Sequence, residues 1–285
     1  MQCLCYTQHV KFIEVKDLVL SFTRIDENGK EVPGKKALDG ISFDIEKGSF
    51  VAVVGMNGSG KSTMARCLNG LLVPTSGSVT VDGFDTADED HIWDVRSRVG
   101  MVFQNPDNQI VSSIVEDDVA FGPENLGLDP AEIRRRVDDA LERVGMTSRR
   151  NKGAHMLSGG QKQRLAIAGA IAMRPDCIVF DEPTAMLDPR GRARVMDIIK
   201  DLNADGITCI LITHFMTEAE QADRVIVLKN GKVLCDRTPE ELFADKDMIE
   251  KAGLEMPPAI AIRDKADLPE ELTSAEAIAD YIAAV

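Results

Sequence analysis

Short unbroken apolar runs alternate along most of the chain with longer stretches in which apolar side chains recur every three or four positions. An unbroken apolar run reads as a strand covered on both faces, and its alternation with helical patterns predicts an α/β fold around a largely parallel sheet. The predicted strands of that sheet are Phe50 to Val54, Val99 to Phe103, Cys177 to Phe180, Thr208 to Ile212 and Val225 to Leu228. Ile13 to Leu20, Ile41 to Ile45 and Ser78 to Val81 also have strand composition, which predicts an antiparallel layer added to the parallel one. Asn230-Gly231 reads as a hairpin turn before a last strand over Lys232 to Cys235.

Between Gln104 and Arg174 the strand signal disappears, and Asp129-Pro130 opens an amphipathic helix running to about Val144. This stretch reads as an inserted helical subdomain. Past Cys235, Pro239, Pro257, Pro258 and Pro269 punctuate short helical patches rich in Asp and Glu, which read as an appendage.

Composition narrows the class. At 285 residues the chain has room for a full core, and 44% hydrophobic residues exclude intrinsic disorder. A formal net charge of −14 disfavours nucleic acid and anionic lipid as partners. The acidity is uneven: residues 236–285 hold 13 acidic and 5 basic side chains, so most of it lies in the appendage. The longest run without a polar side chain, Leu165 to Met173, is nine residues, about half of a bilayer span. Met1 to Lys11 lacks the basic-then-apolar pattern of a secretory signal. The six cysteines have no metal-type spacing and are expected as buried thiols, with Cys3 and Cys5 as candidate exposed exceptions. His9, His91 and His155 have surface or packing contexts, and Arg134-Arg135-Arg136 reads as the solvated face of a helix.

Chemistry enters directly after the Phe50 to Val54 strand, with Gly55-Met56-Asn57-Gly58-Ser59-Gly60-Lys61-Ser62-Thr63 and a helix-compatible run to about Leu72. Strand, glycine-rich loop and helix make a phosphate-binding loop: backbone N–H groups and the positive helix end converge on phosphate oxygens. Lys61 is placed to reach the β- and γ-phosphates, and the Ser62 hydroxyl to coordinate Mg²⁺. A triphosphatase also needs a carboxylate at the end of a buried strand. Cys177 to Phe180 supplies the strand and ends in Asp181, expected to hold Mg²⁺, and Glu182, expected to act as general base.

Leu157-Ser158-Gly159-Gly160-Gln161-Lys162-Gln163-Arg164 makes the pattern specific, because this string resembles the signature motif of the ATP-binding cassette (ABC) family. The resemblance covers about residues 12–238. It implies a P-loop ABC ATPase fold with an antiparallel β layer, a helical subdomain over about 104–174 and a small helical appendage at 239–285. It further implies that Gln104 is the loop glutamine contacting Mg²⁺ or water and that His214 is the switch histidine near the γ-phosphate. By the same likeness Ala185 to Asp188 is the loop that crosses between subunits. Ser158, Gly159, Gly160, Gln161 and Asp188 are then expected to meet ATP bound by another subunit, so the functional unit is a dimer. The family's adenine-stacking aromatic falls near Leu20 to Arg24. Either Phe22 is that ring, or it is a core residue and Arg24 covers the base; an unusual loop, Asp26 to Lys36, follows.

Within the family, Gln104 to Val111, Asp117 to Asn125 and Asp181 to Pro189 most resemble energy-coupling factor transporter ATPases, in particular the first of their two paired ATPases. That likeness implies ATP and Mg²⁺ as cofactors and three partners: a second ABC ATPase, identical or a paralogue, a transmembrane coupling protein, and a membrane substrate-binding protein for vitamins or metal ions. It places the chain on the cytoplasmic face of the membrane without insertion, and assigns the appendage to ATPase pairing. An ordinary ABC importer ATPase and a soluble ABC regulator are the alternatives, the latter disfavoured by a single cassette and no coiled-coil insertion.

Overall fold

The unbroken apolar runs become strands because both of their faces are covered. In the computed structural model, which describes residues 11–25, 27, 29–266, 268–269, 272 and 275–284, the strands are β1 (Lys11–Ile25), β2 (Glu31–Glu46), β3 (Phe50–Val54), β4 (Ser76–Val81), β5 (Phe84–Asp85), β6 (Val99–Val102), β7 (Cys177–Asp181), β8 (Thr208–Ile212), β9 (Arg224–Lys229) and β10 (Lys232–Arg237). One sheet runs β10-β9-β3-β8-β7-β6, parallel from β9 to β6, with β10 antiparallel at its edge. The other, β2-β1-β4-β5, is antiparallel. Asn230 and Gly231 both take positive φ, 51° and 76°, the conformation that the β9–β10 hairpin requires.

The helices are α1 (Lys61–Leu68), α2 (Ile92–Arg98), α3 (Val115–Asn125), α4 (Pro130–Arg143), α5 (Gly159–Ala172), α6 (Pro189–Ala204), α7 (Met216–Ala219), α8 (Pro239–Ala244), α9 (Lys246–Ala252), α10 (Pro258–Lys265) and α11 (Ala275–Ala284). Alternate residues of the parallel strands serve two separate cores. Phe50, Ala52, Val54, Ile178, Phe180 and Leu211 pack with the apolar sides of α3 to α6 and with Leu242, Phe243, Ile249 and Ala252 of α8 and α9. Val51, Val53, Val179, Ile210, Ile212 and Ile226 pack instead with α1 and the antiparallel sheet. The period-two alternation of strand side chains thus builds three layers, with the parallel sheet in the middle. Asp129 caps α4 by accepting from Ala131 N and Glu132 N, and Pro130 occupies the first turn, where its missing N–H is not needed.

The α/β fold with its antiparallel layer is as expected, and the structure revises details. Helix α1 ends at Leu68 rather than near Leu72, because Gly70 turns to φ 67° and the Leu72 N–H bonds back to Arg66 O. The expected loop over Asp26 to Lys36 is mostly strand: β2 begins at Glu31, and β1 pairs with it as far as Ile25. Helix α2 and strand β5 carry too little periodicity to be foreseen. Arg136 is no solvated cation; it pairs with Glu132 and donates to the Ala172 and Met173 carbonyls at the end of α5. Cys67, Cys177 and Cys209 are buried thiols, and burial pushes Cys67 and Cys209 up to about 12. Cys3, Cys5 and His9 lie outside the described residues.

Candidate active site

The β3–α1 junction builds a cradle for phosphates. Gly55, Gly58 and Gly60 take φ values of 152°, 77° and 108°, which let the loop fold tightly onto the end of α1. At Gly55 a side chain would also collide with the Leu228 carbonyl, since a Cβ there would lie 2.2 Å from it. Asn57, Gly58, Gly60, Lys61, Ser62 and Thr63 line a cavity of about 340 Å³, closed on its far side by Gln104 and Glu182. Lys61 Nζ donates to the Gly55 and Met56 carbonyls at 2.7 and 3.2 Å. Burial pulls its pKa down, opposed by the charges of Glu182 and Asp181.

The carboxylates come from the end of β7, which lies two strands from β3 with β8 between them. Ser62 Oγ donates to Asp181 Oδ1 at 2.9 Å, so the hydroxyl of the loop and the strand-end carboxylate face one point. Burial raises the Asp181 pKa, partly offset by the Ser62 hydrogen bond. Glu182 follows with φ 48°, a left-handed conformation costly for a non-glycine residue, roughly 1–3 kcal/mol, and held by its N–H donating to Ile212 O. Its Oε2 accepts from Gln104 Nε2 at 3.0 Å and lies 3.5 Å from His214 Nδ1. Gln104, Glu182 and His214, distant in sequence, therefore form one polar cluster, of which Gln104 and Glu182 line the cavity. Ser59 Oγ is buried beneath the loop without a hydrogen-bond partner among the described residues.

The signature residues sit elsewhere. Ser158 caps α5, its N–H donating to Gln161 Oε1 at 3.1 Å, so the Gln161 side chain closes the first turn of the helix. Ser158, Gly159, Gly160 and Gln161 line a second concavity of about 380 Å³ together with Leu187 and Asp188. Asp188 caps α6 by accepting from Gly191 N at 2.7 Å. None of these residues lines the cavity of Lys61.

Phe22, on the outer half of β1, is 51% exposed, which excludes the core alternative for it. The strand paired with it, β2, passes close to the phosphate loop: Leu20 pairs with Leu38, and a Cβ on Gly60 would lie 2.7 Å from the neighbouring Ala37 carbonyl.

Several supporting side chains carry no signal in the sequence. Gln109 accepts from Phe103 N and donates to Ala166 O, while Gln163 Nε2 donates to Phe103 O, so two glutamines tie the Gln104 loop to α5. Lys162 adds an ion pair to Asp107 at 2.6 Å. Thr213 Oγ1 donates to the buried Glu218 carboxylate at 2.6 Å and accepts from Phe215 N, fixing the turn that carries His214. Neither glutamine carries a sequence signal for these bonds; which side chains tie the loop down depends on which backbone groups the fold leaves unpaired.

A phosphate cavity on one surface and a glycine-rich helix end on another define an ATP-binding cassette ATPase. The chain belongs to the ABC transporter family, whose profile matches residues 38–185, and within it to the energy-coupling factor transporter ATP-binding proteins. It is 54% identical over 255 residues to the energy-coupling factor transporter ATP-binding protein EcfA1 of Symbiobacterium thermophilum, covering 89% of this chain and 88% of that one. The structure of cbiO1 from Clostridium perfringens, part of the ABC transporter complex cbiONQ, matches with a TM-score of 0.74 at 38% identity over 89% of this chain and 99% of that one. The dimeric post-hydrolysis structure of the ATP-binding cassette MJ0796 bound to ADP and Pi matches at 0.70 and 31% identity, over 80% of this chain and 98% of that one.

Proposed function

We propose that the chain is an ATP-hydrolysing subunit of an energy-coupling factor importer, pairing with a second ABC ATPase beneath a transmembrane coupling protein and a membrane substrate-binding protein for vitamins or metal ions. The observation that carries the mechanism is the convergence of Gln104, Asp181, Glu182 and His214 on the phosphate cavity. Loop N–H groups and the α1 end hold the phosphates, and Lys61 moves from the Gly55 and Met56 carbonyls onto the β- and γ-phosphate oxygens. The Ser62 and Asp181 oxygens 2.9 Å apart, with Gln104 lining the same cavity as Ser62, suit a hard cation. Ser62, Asp181 and Gln104 would hold Mg²⁺, which would supply positive charge to offset the charge developing on the phosphates.

Glu182 takes a proton from the attacking water as its oxygen bonds to the γ-phosphorus and the bond to the β-phosphate bridging oxygen breaks. Gln104 orients the Glu182 carboxylate, and His214, on the same oxygen, faces the γ-phosphate. Ser158, Gly159, Gly160 and Asp188 are placed to meet ATP held by a partner ATPase, with the positive end of α5 toward its γ-phosphate. Closure then depends on the γ-phosphate, and hydrolysis removes the contact that favours it.

Among the described residues no helix is long and apolar enough to cross a membrane. On this reading the pore belongs to other chains and this one sits on the cytoplasmic face of the membrane. A groove of about 450 Å³ lined by Leu71, Phe103, Val111, Phe121 and Met173 adjoins the Gln104 loop, and we assign it to the coupling protein. Residues 12–238 form the cassette on this reading, with 239–285 serving ATPase pairing. Purification of the membrane complex carrying this chain tests the assignment: a second ATPase and a coupling protein should accompany it. Recovery with only an ordinary permease pair would overturn it.

A further inference from the structure

Met56 belongs to the phosphate loop by sequence, yet it does not line the phosphate cavity. Its side chain lies against the end of α9 in the C-terminal segment. Gly253 terminates α9 with φ 71° and ψ 32°, and a Cβ built there would come 2.6 Å from Met56 Sδ and 3.3 Å from its Cγ. A side chain at 253 would therefore push the thioether of Met56, itself 55% exposed, off the end of α9.

The two ends of this contact are both anchored. Met56 O accepts from Ser59 N at 3.1 Å and from Lys61 Nζ at 3.2 Å, so its backbone is part of the fold of the loop and of the resting position of the lysine. On the other side, Lys229 Nζ donates to Lys251 O, tying the last turn of α9 to β9. Ile249 and Ala252 of α9 lie in the same core as Phe50, Ala52 and Val54 of β3, the strand that delivers the loop. A flexible thioether is well suited to hold a loop that must rearrange when Lys61 changes partners.

We propose that Met56 is a positioning residue through which α9 holds the phosphate loop ready for ATP, so that the C-terminal segment sets nucleotide affinity in its own chain. The inference rests on the reading of Lys61 and its loop as the ATP site. Whatever displaces α9 weakens ATP binding, because the loop then loses part of its order before the ligand arrives. The contact makes the C-terminal segment a regulator of the site as well as a candidate pairing element.

Equilibrium titration of the purified full-length chain with ATP and Mg²⁺ tests this, using Met56→Ala, Gly253→Asn and the double variant. Asparagine tolerates the left-handed conformation, so Gly253→Asn perturbs the contact with little backbone strain. Each single change should raise the Kd about threefold to tenfold, and the double variant should be no worse than either, since both break one contact. In steady state the Gly253→Asn chain should show raised KM with kcat retained. Thermal unfolding of each variant separates the alternatives: a lowered Tm with unchanged Kd would mean a merely structural contact and would overturn the proposal. Additive effects in the double variant would also overturn it. Absence of ATP binding by the unmutated chain would bring down the site reading itself, whereas an equal Kd in all chains would bring down this inference alone.

Discussion

Gln104 Nε2 donates to Glu182 Oε2 at 3.0 Å across 78 residues of sequence. The donor stands in the loop after β6, which Gln109 and Gln163 tie to the signature helix α5, and the acceptor is the residue with left-handed backbone after β7. The bond therefore joins the carboxylate assigned to water activation to the unit that bears Ser158. On the proposed reading, a shift of α5 on closure with a partner would reach the Glu182 carboxylate through Phe103 and Gln104.

Glu182→Gln keeps the shape of the side chain and removes its capacity to accept a proton. The chain should bind ATP with unaltered affinity while its turnover falls about a hundredfold or more, the usual range for a lost general base. Phosphate release in steady state checks this, and turnover near the unmutated rate would rule out Glu182 as the base.

Lys61→Ala should weaken ATP binding itself, whereas Ser158→Arg should leave the binding of ATP by the isolated chain intact and abolish ATP-dependent pairing. The two cavities share no residues, so the two defects should separate. Calorimetric titration reads the first and sedimentation in the presence of ATP the second; loss of monomer binding in Ser158→Arg would contradict the division.

Thr213→Val leaves the buried Glu218 carboxylate without its hydroxyl donor. A loss of about 1–3 kcal/mol in unfolding free energy is expected for an unsatisfied buried polar group. Since Phe215 N also loses its acceptor, the His214 turn should loosen and kcat should fall more than ATP affinity, which paired unfolding and kinetic measurements would show.

Glu132 links α4 to the end of α5 through Arg136, with Arg135 and Arg174 beside it, and the Arg136 and Arg135 hydrogen bonds hold its pKa at about 2 against an ordinary 4.5. A depressed carboxylate stabilises the fold above its unfolded pKa and loses that contribution as pH falls toward the folded value. Glu132→Gln should therefore lower the denaturation midpoint at pH 7, and the difference from the unmutated chain should shrink below about 4.5. A difference constant down to pH 3 would show that the ion pairs contribute nothing.

Much of this molecule is legible in one dimension. Short apolar runs such as Val51 to Val54 and Cys177 to Phe180, bounded by turn residues, read as strands covered on both sides, and the glycines and Lys61 following the first of them specify a phosphate loop by local geometry. The ends of elements are less legible: Gly70 marks the stop of α1 in the sequence itself, but β1–β2 pairing extends the hairpin to Glu31 through contacts that no local pattern records. The convergence of Gln104, Asp181, Glu182 and His214 depends on strand order, because β6, β7 and β8 must lie side by side for their ends to meet. The separation of Ser158 from Lys61 and the seating of Met56 against Gly253 also belong to tertiary structure alone. Sequence sets what each segment prefers to be; which side chains meet is decided by how those segments pack to bury their apolar faces.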